Sequence, residues 1–191
     1  MRLAEDLVRF QPGNEQEEHD LALMRALVSA PNVLTRENKV CHFTASSWIV
    51  SRDRHQVLAV YHRIYQSWAW TGGHADGEDD LLSVAIREAR EETGIHTIQP
   101  LLERPFSAEI LTVDGHEKRG EYVPSHLHLN LTYLLCGDET EPIRAKQDEN
   151  KAVRWFLPEA FLAACSEQWM IDRIYKKLIT RFSEMVRRGE V

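Results

Sequence analysis

The sequence is poor in every feature that would take it out of the ordinary globular class. Its cysteines, Cys41, Cys136 and Cys165, are odd in number and far apart. They therefore form neither a disulfide framework nor a metal-ligand spacing. Core positions on strands or helices suit them, which makes a reducing cytoplasm the expected location. No apolar run approaches the length of a membrane span, and the first residues hold no apolar h-region, so neither an anchor nor a secretory leader is expected. Repeats and low-complexity segments are lacking. Basic residues number 23 against 30 acidic ones, for a formal charge of −7. No Lys/Arg cluster is large enough to follow a phosphate backbone, so long nucleic acid is not an expected partner. Nine histidines are present, but no pair shows ligand spacing on one element, and no zinc site is read from them.

What is present suffices for one domain of 191 residues with a good core. Residues 3–10 and 15–30 carry helical patterns separated by Pro12-Gly13, with Leu21, Leu23, Met24, Leu27 and Val28 as the apolar positions of the second. Residues 1–37 are read as a helical N-terminal extension packed on the core, and residues 38–191 as the main domain. Strand patterns follow at 40–51, 56–62 and 68–71, then a turn at Gly72-Gly73. After a helix, further strands are expected at about 97–102, 106–113, 126–135 and 151–156. A short helix from Pro158 and a long one from about Glu167 to Arg188 close the chain. Mixed strands with flanking helices fit an α/β/α sandwich.

Residues 73–95 carry the chemistry. They run from Gly73 through acidic residues into a helix of about residues 80–93, which ends in Arg87, Glu88, Glu91, Glu92 and Gly94. At about 100° per residue, Glu88, Glu91 and Glu92 share roughly 100° of arc, while Leu82, Ala85, Ile86 and Ala89 form a neighbouring apolar stripe. Like charges at i, i+3 and i, i+4 cost about 0.2–0.5 kcal/mol each. The negative end of the helix dipole adds to that penalty. A hard, oxygen-seeking cation relieves it. Gly94 sits where a left-handed helix cap belongs.

This stretch resembles the Nudix box of the Nudix hydrolase superfamily: Gly, five residues, Glu, seven residues, Arg-Glu, an apolar residue, any residue, Glu-Glu, any residue, Gly, an apolar residue. Gly73, Arg87, Glu88, Glu91, Glu92, Gly94 and Ile95 fall in register, with Ala89 in the first apolar slot. The first motif glutamate is Asp79 here, and Glu78 stands one position early. Asp79 keeps the charge on a side chain shorter by one methylene. Acids at 76–80 also serve as caps and dipole partners at a helix N-terminus. The resemblance extends over about residues 40–165.

The resemblance implies a Nudix-type α/β/α sandwich with a mixed sheet, and hydrolysis of a diphosphate linkage in a nucleoside diphosphate joined to another group. It implies Mg²⁺, with Mn²⁺ as the alternative, held by Glu88, Glu91 and Glu92 and by the backbone carbonyl of Gly72. Arg87 is expected to orient Glu91, and Asp79 to support the site. Gly73 is expected to permit a tight turn. Glu149, with Asp148 beside it, is the candidate base. His126, His128 and Asn130 alternate with leucines and put a polar face on one strand, a candidate substrate wall; His42, Thr44 and Ser46 alternate likewise. Arg63 and Tyr65 precede the box and are candidate contacts to phosphate or base. The expected partner is a small diphosphate; the exposed side of the terminal helices leaves room for a homodimer. Two other classes stay open: a nucleotide-binding or sensor module without turnover, favoured only by Asp79, and an isoprenoid-diphosphate isomerase, which requires a cysteine setting that Cys41 does not have.

Overall fold

The computed structural model describes residues 2–118 and 120–191. The helices are α1 (Arg2–Arg9), α2 (Glu15–Leu27), α3 (Leu81–Thr93), α4 (Pro158–Ala164), α5 (Gln168–Met170) and α6 (Lys176–Arg187). The strands are β1 (Cys41–Ser51), β2 (Val57–His62), β3 (Ser67–Ala69), β4 (Thr71–His74), β5 (Gln99–Pro100), β6 (Ser107–Val113), β7 (His116–Lys118), β8 (Glu121–Val123), β9 (His126–Gly137) and β10 (Asn150–Phe156). This is a mixed α/β fold, as expected. Its sheet runs β10-β2-β1-β9-β5, with β3 paired to β2, β4 to β1 and β6 to β9, while β7 and β8 make a separate hairpin.

The chain divides into two compact units. The first comprises Met1–Ser46, Gly72–Ala85 and Arg104–Tyr133. Its β6 pairs antiparallel with β9, from Ser107 opposite Thr132 to Val113 opposite His126. Strand β6 is a potential sheet edge, and α2 covers it. Asp20 accepts from the Ile110 N–H at 2.9 Å, and Gln16 Nε2 donates to the Ala108 carbonyl at 3.2 Å. Side chains thus occupy backbone groups that would otherwise template another chain. Helix α2 starts at Asn14, whose side chain accepts from the Glu17 N–H. Leu21 and Met24 are buried as expected, but Leu23 points to solvent and Glu17 is fully buried. Glu17 is satisfied by Gly13 N–H at 2.7 Å and Ser107 Oγ at 2.6 Å. A polar requirement of the neighbouring strand overrides the helix's own apolar stripe.

The second unit comprises Ser47–Thr71, Ile86–Glu103 and Leu134–Val191. Strand β2 lies between β1 and β10, antiparallel to both, with Ile49 opposite Leu58 and Phe156 opposite Val57. Trp48, Phe161 and the fully buried Tyr175 pack together in its core, Phe161 and Tyr175 with ring centroids 4.8 Å apart. The long terminal helix expected from Glu167 contains a π-helical stretch at Ile171–Tyr175. One extra residue per turn there shifts the apolar register of the following helix.

Three local expectations change. Gly72 and Gly73 lie within β4 rather than in a turn; the chain turns afterwards at Asp76 and Gly77, both with positive φ. The close approach is at Gly72, where a Cβ would stand 2.6 Å from the Ala45 carbonyl oxygen and 2.7 Å from Ser46 Oγ. The β7–β8 hairpin has no counterpart in the sequence reading.

Candidate active site

Helix α3 begins at Leu81, capped by Asp80, whose carboxylate accepts from the Ser83 N–H at 3.2 Å and the Ser83 hydroxyl at 2.8 Å. Asp79 accepts from the Arg2 main-chain N–H at 3.1 Å, and Asp80 pairs with the Arg2 guanidinium at 2.6 Å. The acids that open the motif are thus occupied at the helix start, and Asp79 holds the N-terminal segment. The helix stops at Thr93 because Gly94 adopts φ +77°, with its N–H on the Arg90 carbonyl at 2.9 Å. The loop at residue 144 closes over this end, its Arg144 N–H donating to the Thr93 carbonyl at 2.8 Å.

The three glutamates occupy different environments. Glu92 is buried, and its Oε2 accepts from Asn150 Nδ2 at 2.7 Å. The other side-chain atom of that amide, Asn150 Oδ1, is buried and has no hydrogen-bond partner among the described residues. Glu88 is largely buried; burial first, and then the charge of Glu91, raise its carboxyl pKa, against the opposing charges of Arg87 and Lys146. Glu91 is half exposed and lies 3.4 Å from Lys146 Nζ. The expected pairing of Arg87 with Glu91 is replaced: Arg87 Nη2 lies 3.3 Å from Glu88 Oε1. Lys146 also reaches Glu149 Oε2 at 3.1 Å, so one ammonium bridges the box helix to the candidate base. Burial lowers the Lys146 pKa, but the hydrogen bonds of Glu149 and Glu91 and the charges of Glu149 and Glu88 outweigh it and leave it raised.

These residues fit a hard divalent cation. Carboxylate oxygens are the donors such ions take. Burial, and after it the Glu91 charge, raise the Glu88 pKa despite Arg87 and Lys146, and a cation beside the carboxylate would favour its ionised form. The buried, unmatched Asn150 Oδ1 adds a polar atom beside Glu92. Lys146 and Asn150 carried no sequence signal beyond their place next to Glu149 in the chain.

The remaining candidates fall as follows. Arg63 and Tyr65 are exposed in the turn between β2 and β3; the Arg63 N–H donates to the Glu149 carbonyl at 3.1 Å, and the Tyr65 ring stacks on His62 at 4.5 Å. Asn130 is buried rather than open to a ligand. Its Oδ1 accepts from Thr44 Oγ1 and Ser46 Oγ at 3.0 and 2.9 Å, and its Nδ2 donates to Glu109 and Thr132, both at 3.1 Å. His42, Thr44 and Ser46, the alternating set on β1, are buried as well. His126 and His128 meet His42 and His74, with ring centroids between 4.9 and 5.1 Å apart. Burial lowers the His42 pKa, and burial with the neighbouring histidines pushes that of His128 down to about 2. Among the described residues, no helix is long and apolar enough to cross a membrane.

Residues 42–181 match the family model described as NUDIX domain. No curated protein matches the chain. Among solved structures, the chain is similar to a Caenorhabditis elegans Ap4A hydrolase in a binary complex, at 18% identity and TM-score 0.50, covering 76% of this chain and 97% of that one. It is also similar to a NUDIX-family hydrolase from Clostridium perfringens, at 20% identity and TM-score 0.50, covering 75% and 97%. The Escherichia coli dihydroneopterin triphosphate pyrophosphohydrolase gives 17% identity and TM-score 0.53, covering 72% and 95%. These likenesses concern the fold.

Proposed function

The chain belongs to the NUDIX family, and on that premise we propose that it hydrolyses a diphosphate linkage in a nucleoside-diphosphate-type small molecule, with water attacking phosphorus and a divalent cation, Mg²⁺ or Mn²⁺, as cofactor. The observation that carries this reading is the asymmetry of the three glutamates. Glu92 is locked by Asn150, Glu88 is largely buried with its pKa raised, and Glu91 is drawn to Lys146.

Glu88, Glu91 and Glu92 would hold the cation, which when bound screens the substrate's negative oxygens and acidifies a water. The chain's own residues do the rest. The Asn150 amide N–H fixes the Glu92 carboxylate so that its oxygens do not wander between rotamers. Arg87 restrains Glu88. Lys146 holds Glu149 beside Glu91 and offers an ammonium to a phosphate oxygen. Glu149 accepts the proton of the attacking water as the new O–P bond forms. The bridging P–O bond breaks, and the leaving phosphate oxygen departs with the electron pair.

Glu92→Gln keeps an acceptor for Asn150 and removes the charge. Incubated with a panel of dinucleoside polyphosphates, nucleotide sugars, ADP-ribose and oxidised nucleotides plus Mg²⁺, the wild type should release identifiable phosphate products and the variant none. Turnover by the variant equal to wild type would remove Glu92 from the site. Tight binding by the wild type without product at any pH, with Mg²⁺ or Mn²⁺, would establish a binding module instead.

A further inference from the structure

We propose that His42, His74 and His128 form a binding site for a zinc-class transition-metal ion, built from residues distinct from the carboxylates of α3. The three histidines come from β1, β4 and β9 and all belong to the first unit. One ligand nitrogen from each lies within 4.8 Å of the others. A tetrahedral ion with Zn–N bonds of about 2.0–2.1 Å holds its nitrogens roughly 3.3–3.5 Å apart, so side-chain displacements of about 1 Å close the set.

The tautomer of His42 favours ligation. His42 Nδ1 lies 3.1 Å from the Asn38 carbonyl. A carbonyl only accepts, so Nδ1 carries the hydrogen and Nε2 keeps its lone pair. That Nε2 is buried, on a residue 4% exposed, and has no hydrogen-bond partner among the described residues. A buried nitrogen left so is destabilising, and a metal bond would offset that. An N–H on a backbone carbonyl, opposite the ligating nitrogen, is the arrangement that orients metal-bound imidazoles.

His126 is a positioning residue. Its Nδ1 lies 2.9 Å from the Pro124 carbonyl and its Nε2 lies 3.2 Å from His128 Nε2, so it holds the His128 ring. The nearby Arg36 is committed to Asp76 through two bonds of 2.9 and 2.6 Å. Donor softness separates this set from the glutamates: imidazole suits zinc, copper and nickel, whereas carboxylate suits magnesium and manganese. Three neutral ligands also leave the ion its full charge and an open position for water or an anionic oxygen. Bound there, it would tie β1, β4 and β9 together.

The test uses the full chain stripped with a chelator, and Zn²⁺ itself as the probe. Competition against a chromophoric chelator should give one equivalent per chain at submicromolar Kd. His74→Ala and His128→Ala should each weaken binding about 100-fold or more, and His126→Ala about 10-fold. Glu88→Gln and Glu92→Gln should bind Zn²⁺ as wild type does. No saturable binding at micromolar Zn²⁺, undiminished affinity in both histidine variants, or loss confined to the glutamate variants would overturn the proposal. Circular dichroism checks folding. Should a histidine variant not fold, Co²⁺ bound to the wild type decides: intense visible bands of a four- or five-coordinate ion support the site, and a weak octahedral spectrum overturns it.

Discussion

Asn150 Nδ2 donates to Glu92 Oε2 at 2.7 Å, joining two buried side chains 58 positions apart in the sequence. The bond spans β10 and α3 within the second unit. Asn150→Ala removes that donor from a buried carboxylate. Stability should fall by about 1–3 kcal/mol. Turnover should fall about 10–100-fold, as for other groups that orient a metal ligand. Urea unfolding and initial rates at saturating Mg²⁺ measure the two effects. Unchanged rates would show that Glu92 needs no fixing.

Lys146 sits 3.4 Å from Glu91 and 3.1 Å from Glu149, which separates a role in charge from a role in proton transfer. Glu149→Gln keeps shape and removes basicity. It should lower kcat about 10²–10⁴-fold with KM little changed. Lys146→Met should instead act mainly on KM. A Glu149→Gln enzyme with normal kcat would move the base elsewhere.

Gly72 has no room for a side chain. Its Cβ would fall 2.6 Å from a backbone oxygen, which cannot step aside as a flexible side chain could. Gly72→Ala should therefore destabilise the protein by about 1–3 kcal/mol, the usual range for overpacking. Thermal unfolding checks this. A variant as stable as wild type would show that β4 can shift away from β1 freely.

The legible and illegible parts of this chain divide on physical grounds. Helix α3 and its glutamates were readable because helical periodicity, an acidic cap and a C-terminal glycine are local signals, and Gly94 takes the positive φ that its position demands. The strands β1, β2, β6, β9 and β10 were readable from alternation and β-branched content to within two residues of their ends. Partners set by tertiary contact were not. Nothing local in Lys146 or Asn150 announces Glu91 or Glu92. The histidines at 42, 74 and 128 stand on three different strands, so no spacing on one element exposes them. Alternation told that β9 has a polar face but not whether solvent, ligand or other side chains cover it; for Asn130 the answer is other side chains.

Asn130 is therefore a stability residue. It lies at the centre of a buried network of Thr44, Ser46, Glu109 and Thr132, with Thr132 Oγ1 also donating to Glu109 at 2.9 Å and Ser107 bonded to both Glu109 and Glu17. Asn130→Leu fills the volume but strips Glu109 of a donor and leaves two hydroxyls short of an acceptor. A loss of roughly 2–4 kcal/mol follows, because a partly satisfied network in low dielectric is worse than an apolar one. Urea unfolding measures it. A loss below about 0.5 kcal/mol, the range of ordinary surface changes, would show the network to be solvated in practice.

Asp6 gives the pH dependence. Its carboxylate accepts from Tyr133 Oη at 3.1 Å, and both residues are buried in the first unit. Burial raises its pKa above 3.8; the Tyr133 hydrogen bond and the Arg2 charge oppose this, the Asp80 charge adds to it, and the net shift is upward. The folded state therefore holds a proton that the unfolded state has lost, over the window from 3.8 up to the folded pKa. Through that window stability falls as pH rises, and above it the penalty persists. Asp6→Asn is a neutral isostere that still accepts from Tyr133, so it should unfold at a higher temperature than wild type at pH 7. The difference should shrink as the pH is lowered toward 3.8 and vanish below it. Melting curves of both proteins across that range decide the matter. A variant less stable than wild type at neutral pH would mean that the ionised carboxylate is favoured in the fold and that Arg2 and Tyr133 outweigh its burial.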